Sequence, residues 1–152
     1  MAMFFLIIKW IHVLSAITAV GANITYGIWT ARASREPSFL PFVLRSIHWI
    51  DSRVANPCYG LLLLTGLTMA FTVPIPLTTP WLLTALVLYV IAALLGILFY
   101  APVVRSQIQL LESQGFDSPD YQATAGKARL MGILVGVDVI IIVFLMVVKP
   151  VL

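Results

Sequence analysis

A lysine, a histidine and an asparagine stand inside one apolar run, KWIHVLSAITAVGANITYGIW, from Lys9 to Trp29. Their spacing is helical. Lys9, His12, Ala16, Ala19, Asn23 and Gly27 follow one another at gaps of three or four residues and so share one helix face. That face is small and polar, and large apolar side chains dominate much of the remaining surface. Such a stripe is expected to face protein or a flat ligand rather than lipid.

Two chemistries fit the stripe. In the first it is structural: Lys9 snorkels outward, His12 bonds a carbonyl and Asn23 bridges two helices. In the second His12 is an axial haem ligand, because neutral imidazole binds haem iron and a helical bundle offers an apolar slot for the porphyrin. Lys9, one turn outward, would pair with a propionate, and Ala16, Ala19 and Asn23 complete the candidate cofactor site.

Other candidate ligands are few. Met69 and Met146 lie near the outer ends of the second and fourth apolar runs, within reach of a sixth iron position. His48, the only other histidine, is expected to be an interfacial polar residue at the opposite side of the membrane. The iron is therefore expected to keep an open or weakly held position, suited to oxygen or nitric oxide chemistry or to electron transfer. Asp138 is the only acid deep inside an apolar run. It is open to three roles: structural hydrogen-bond donor, proton-handling group, or partner for a cation on the first helix.

These residues need a scaffold, and composition defines its class. The chain has 152 residues, 61% of them hydrophobic and 10% charged, with the charges clustered. An integral membrane protein is implied. The single cysteine, Cys58, rules out an internal disulfide. The net charge of +3 comes from arginines flanking the apolar runs and speaks to membrane orientation, not to nucleic acid. The N-terminal run continues past any cleavage pattern, so it is read as a retained first helix.

Four spans are placed, at about 4–31, 54–72, 80–104 and 130–148, in one transmembrane domain covering 1–152. Thr79-Pro80 and Ser118-Pro119 have the form of an N-cap followed by proline at the first helical position. Gly115-Phe116 has the form of a helix end. Helices three and four therefore extend past the bilayer into a hairpin closed by GFDSPD, and Pro57 and Pro102 perturb their helices locally. Between the first two spans, Phe39, Val43, Ile47, Ile50 and Val54 recur at helical spacing, with Arg45, His48 and Ser52 on the other face. This predicts an amphipathic helix at the membrane surface that runs into span two. Basic residues flank the first and third connections and are missing from VPIPLTTP. The first and third connections are thus expected to be cytoplasmic, with both termini outside.

The KWIHVLSAITAVGANITYG segment resembles the first helix of a superfamily of small bacterial membrane proteins. It includes the domain-of-unknown-function family 2269, the copper-resistance D-type proteins and the haem-dependent protoporphyrinogen oxidases. DSRVANPCYGLLLLTGL resembles the second-helix signature of family 2269: an acid, a proline a few residues on, then an apolar run with a glycine. The resemblance covers nearly the whole chain at the level of four spans and is specific in these two segments. It implies, from the oxidases, haem b on His12 with Lys9 beside it. The second half is shorter and different from theirs. A copper site would need a methionine- and histidine-rich cluster, which the chain lacks.

The sequence thus predicts an all-α, integral membrane four-helix bundle in the bacterial inner membrane that binds haem b and has a redox role. The alternatives are a haem-free structural or transport subunit and a protoporphyrinogen oxidase-like enzyme. Expected partners are the lipid bilayer, a second copy of the chain, and a small diatomic gas or a redox partner.

Overall fold

Proline and glycine punctuate the apolar runs, and the helices begin and end where they do. In the computed structural model, which describes residues 2–73 and 75–150, no strand occurs among the described residues. Helix α1 spans Ala2–Ala33. A 3-10 turn at Pro37–Phe39 leads into α2, Leu40–Ile50, and α3 covers Asn56–Thr72. Then come α4, Pro80–Leu94, α5, Ala101–Gln114, and α6, Pro119–Val148. Short π-helical segments join α2 to α3 (Asp51–Ala55) and α4 to α5 (Leu95–Tyr100). Four continuous helical rods result, Ala2–Ala33, Pro37–Thr72, Pro80–Gln114 and Pro119–Val148, each long and apolar enough to cross a membrane. At 1.5 Å per residue such rods are roughly 45–54 Å long, so they outreach a hydrocarbon core of about 30 Å.

The π segments have a sequence cause. Each ends two residues before an interior proline, Pro57 or Pro102. Proline has no N–H to give the carbonyl four residues back, and its ring crowds that carbonyl. A widened turn relieves the crowding without ending the rod.

Rods one and two pack as one antiparallel pair, and rods three and four as another. Inside the membrane the buried positions are mostly small, among them Ser15, Ala19, Ala55, Thr65, Ala70 and Ala85. Large side chains such as Ile17, Leu64, Ile97 and Ile140 point outward. This is the membrane arrangement, in which close backbone approach replaces the exclusion of water as the driving force. A conventional apolar core lies at the arginine-rich end, where Ala33, Leu40, Leu44, Leu111 and Tyr121 are packed with Val43 and Phe116 around them. There Arg45 donates to Glu112 at 2.9 Å.

Two local expectations are corrected. The inward face of α2 is Leu40, Leu44 and Ile47, whereas Phe39 and Ile50 are exposed. An interfacial helix has two apolar surroundings, protein and lipid, so hydrophobicity alone does not say which face turns inward. Thr79 stands at the N-cap of α4, yet its hydroxyl donates to the Pro76 carbonyl at 2.6 Å and caps nothing. Ser118 does accept from the Tyr121 N–H. Gly115 ends α5 at φ +84°, and Phe116 stacks on Tyr121 with ring centroids 5.6 Å apart. Pro74, in the second connection, lies outside the described residues.

Candidate functional site

The antiparallel pairing of α1 and α3 sets up two polar contacts about three helical turns apart. His12 Nδ1 is 2.8 Å from the Thr65 hydroxyl. Farther along, Asn23 donates its amide to the Tyr59 hydroxyl. Between them Ala19 is fully buried.

The Thr65 hydroxyl decides the state of the histidine. It has one proton, which it donates to the Leu61 carbonyl at 2.5 Å. Toward His12 it can only accept. With that proton committed to Leu61, the tautomer consistent with the pair carries the ring proton on Nδ1 and keeps the lone pair on Nε2. The Leu62 carbonyl is a further hydrogen-bond partner of the His12 ring, and Nε2 is not among the enclosed unpaired atoms. An Nδ1–H held by a protein oxygen with a free Nε2 is the arrangement in which imidazole serves as a metal ligand.

Gly66 completes the seat. A Cβ at this position would stand 3.2 Å from His12 Cε1 and 3.8 Å from Nδ1. The imidazole edge thus rests against bare backbone of α3, and the Thr65-Gly66 pair supplies both the acceptor and the space.

The remaining stripe residues divide. Lys9 is exposed and Ala16 half-buried beside His12, so these lie on the part of the stripe open to a ligand. Ala19 is consumed by helix packing and Asn23 by its bond to Tyr59. Gly27 is exposed, with nothing within 4 Å of an added Cβ. Met69 is half-buried one turn beyond Thr65 on α3, and Met146 is half-buried near the end of α6. His48 belongs to the other end of the pair: it lies on the same helical rod as Thr65, 17 residues before it, roughly 25 Å of rise. Among the described residues no group of three or more histidine, cysteine or acidic side chains gathers to hold a metal ion.

For a haem, the donor set is one imidazole with its lone pair on Nε2, oriented from behind by Thr65, and an exposed cation one turn away. These residues fit a single axial ligand. Two concavities lie elsewhere. One is a shallow surface around Phe42, Arg45 and Trp49. The other is a crevice of about 80 Å³ between α1 and α6 lined by Val20, Asn23, Ile24, Gly136, Val139 and Ile140.

Thr65 and Gly66 were not singled out by sequence reasoning. The one available signal was the glycine in the apolar run of the second helix. The threonine beside it looks like any hydroxyl that bonds back to its own helix.

Four apolar rods, small-residue contacts and polar contacts made between two of them define an integral membrane helical bundle. A family model described as "Predicted integral membrane protein (DUF2269)" matches residues 6–150, and the chain belongs to that family. No curated protein and no solved structure matches it.

Proposed function

We propose that this membrane protein binds b-type haem through His12 Nε2 and has a redox role, in electron transfer or in chemistry on oxygen or nitric oxide. The observation that carries this reading is the His12–Thr65 pair, which suits the tautomer with a proton on Nδ1 and the lone pair on Nε2. Bound there, haem would supply one-electron and diatomic-ligand chemistry. The chain's own residues do the rest. Thr65 fixes the imidazole tautomer and rotation, Gly66 admits the ring, and Lys9 offers a cation to a carboxylate on the ligand. An open or weakly held sixth position follows from the distance of His48, with Met69 and Met146 as the weak candidates. The cell location proposed is the bacterial inner membrane, with both termini outside, on the strength of the basic first and third connections.

A second reading makes the same contacts pure structure in a haem-free structural or transport subunit. It is favoured by the direct bonds of His12 and Asn23 to α3, which are the kind that hold membrane helices together. Pigment separates the two. The haem reading expects His12→Ala to insert in the membrane but lose its pigment, with His48→Ala still coloured. Full pigment in His12→Ala would remove it.

A further inference from the structure

The outward side of the second rod carries surface that suits neither water nor lipid. Phe42 is 70% exposed, Trp49 61% and Phe39 57%. Rise along the rod sets their depth. Counted from Thr72 at one edge of a hydrocarbon core of about 30 Å, the other edge falls near Arg53. Trp49 then stands about 5 Å beyond it, in the headgroup layer where tryptophan is at home. Phe42 stands about 15 Å beyond and Phe39 about 20 Å, past the headgroups and in water. The same end of the bundle has a conventional apolar core, in which Leu40 and Leu44 of this rod are buried. Phe39 and Phe42 are on the side that this core leaves bare.

Inside the membrane the exposed side continues with residues that lipid does not favour. Asn56 is exposed about 6 Å inside the hydrocarbon edge. Its amide stands 3.5 Å from the Asp51 carboxylate, at the outer limit of a hydrogen bond. One turn on, Gly60 is exposed with nothing within 4 Å of an added Cβ, and Leu64 follows. Phe42, Trp49, Arg53, Asn56, Gly60 and Leu64 succeed one another at gaps of seven, four, three, four and four residues, the spacing of a seam between paired helices. All six are exposed, on both sides of the widened turn at Asp51–Ala55.

We propose that two copies of the chain pair through this side of rod two, related by a twofold axis along the membrane normal. Copies in one bilayer share one orientation, so the same residues meet at the same depth. The surface is self-complementary. Phe42 protrudes beside a shallow concavity that it lines with Arg45, Ser46, Trp49 and Ile50, and this concavity seats the Phe42 ring of the second copy. The Asn56 amide both donates and accepts, so it bonds its own symmetry mate, and Gly60 lets the backbones approach. Charge does not oppose the pairing: Arg45, on the flank, is already held by Glu112 at 2.9 Å, and Arg53 lies beside the lipid headgroups. At roughly 150–250 Å² per aromatic side chain, the exposed parts of Phe39, Phe42 and Trp49 amount to roughly 350 Å² per copy. A pair would bury roughly 700 Å² there, short of the about 1,000 Å² that a stable interface needs. The contact must therefore run on into the membrane, where Asn56, Gly60 and Leu64 supply the rest.

Single-molecule photobleaching in liposomes tests this without any haem. The full chain, as Cys58→Ser with a label on a cysteine engineered into GFDSPD, is counted across a range of protein-to-lipid ratios. A monomer–dimer equilibrium is expected. Phe42→Ala should weaken it at least about tenfold and Asn56→Val about fivefold, with helical content unchanged because both positions are exposed in one copy. Ile97→Ala, outward on rod three, should leave it as it was. In the same Cys58→Ser background, unlabelled Ser46→Cys should cross-link to its mate under mild oxidation, while Gln109→Cys, exposed on rod three, should not. Single bleaching steps at every ratio overturn the proposal. So does a dimer that neither Phe42→Ala nor Asn56→Val weakens.

Discussion

Replacing Thr65 by valine removes one hydroxyl and tests the seat of His12 directly. Valine keeps the β-branch, so the χ1 preference and most of the packing volume stay. The Leu61 carbonyl loses the threonine proton but retains its place in the α3 ladder. The change is therefore concentrated on His12 Nδ1, whose acceptor at 2.8 Å disappears. Side-chain hydrogen bonds between membrane helices contribute about 0.6 kcal/mol on average and up to about 1.7. Thr65 is 6% exposed, so Nδ1–H would be left facing apolar surroundings, and a loss of about 1–1.5 kcal/mol is expected. Removing a group that orients a metal ligand typically costs 10–100-fold in affinity. Haem transfer from Thr65→Val to apomyoglobin should therefore run about 10–100 times faster than from the unchanged chain, with Thr65→Ser close to the unchanged chain. A double-mutant cycle with His12→Ala, read by reversible unfolding in detergent, isolates the pair. Equal stability and equal haem transfer for valine and threonine would show that Thr65 does not hold His12.

Other substitutions probe the frame around it. Gly66→Leu should drive the imidazole off its seat and lower haem retention at least as far as Thr65→Val, while Gly66→Ala asks the ring to give only a few tenths of an ångström from the 3.2 Å contact and should act weakly; retention assays on both check the order. Gly115, at φ +84° and ψ 175°, occupies a region open essentially to glycine, so Gly115→Ala should destabilise the α5–α6 hairpin by about 1–3 kcal/mol in an unfolding titration. Glu112→Ala removes a pair whose side chains are 61% and 46% exposed, and its effect on the same titration should stay below about 1 kcal/mol. Cysteines engineered into VPIPLTTP should react with impermeant reagent in whole cells while those in GFDSPD stay protected; the opposite pattern would invert the topology.

The rods were legible in the chain because proline and glycine mark their ends and because most charge lies in or beside the connections. Even the two local distortions could be read from Pro57 and Pro102, which break the ladder wherever they occur inside a helix. The orientation of α2 was not legible: Phe39 and Leu40 are equally apolar, and only docking against α1 and α5 shows that Leu40 turns inward and Phe39 outward. At the candidate site, His12 announced itself as an imidazole on a small-residue face. Thr65 and Gly66 did not, since their meaning depends on the register between α1 and α3, which no periodicity within one helix encodes.

An absorption spectrum of the full chain, purified from cells supplied with ample haem, addresses the haem assignment most directly. A Soret band at about one haem per chain, absent from His12→Ala and shifted by carbon monoxide in the reduced protein, is the expected result. A colourless protein, or equal pigment in His12→Ala, would contradict it; an unchanged low-spin spectrum under saturating carbon monoxide would contradict the open iron position and point to a second strong ligand, with His48 of another copy the first candidate.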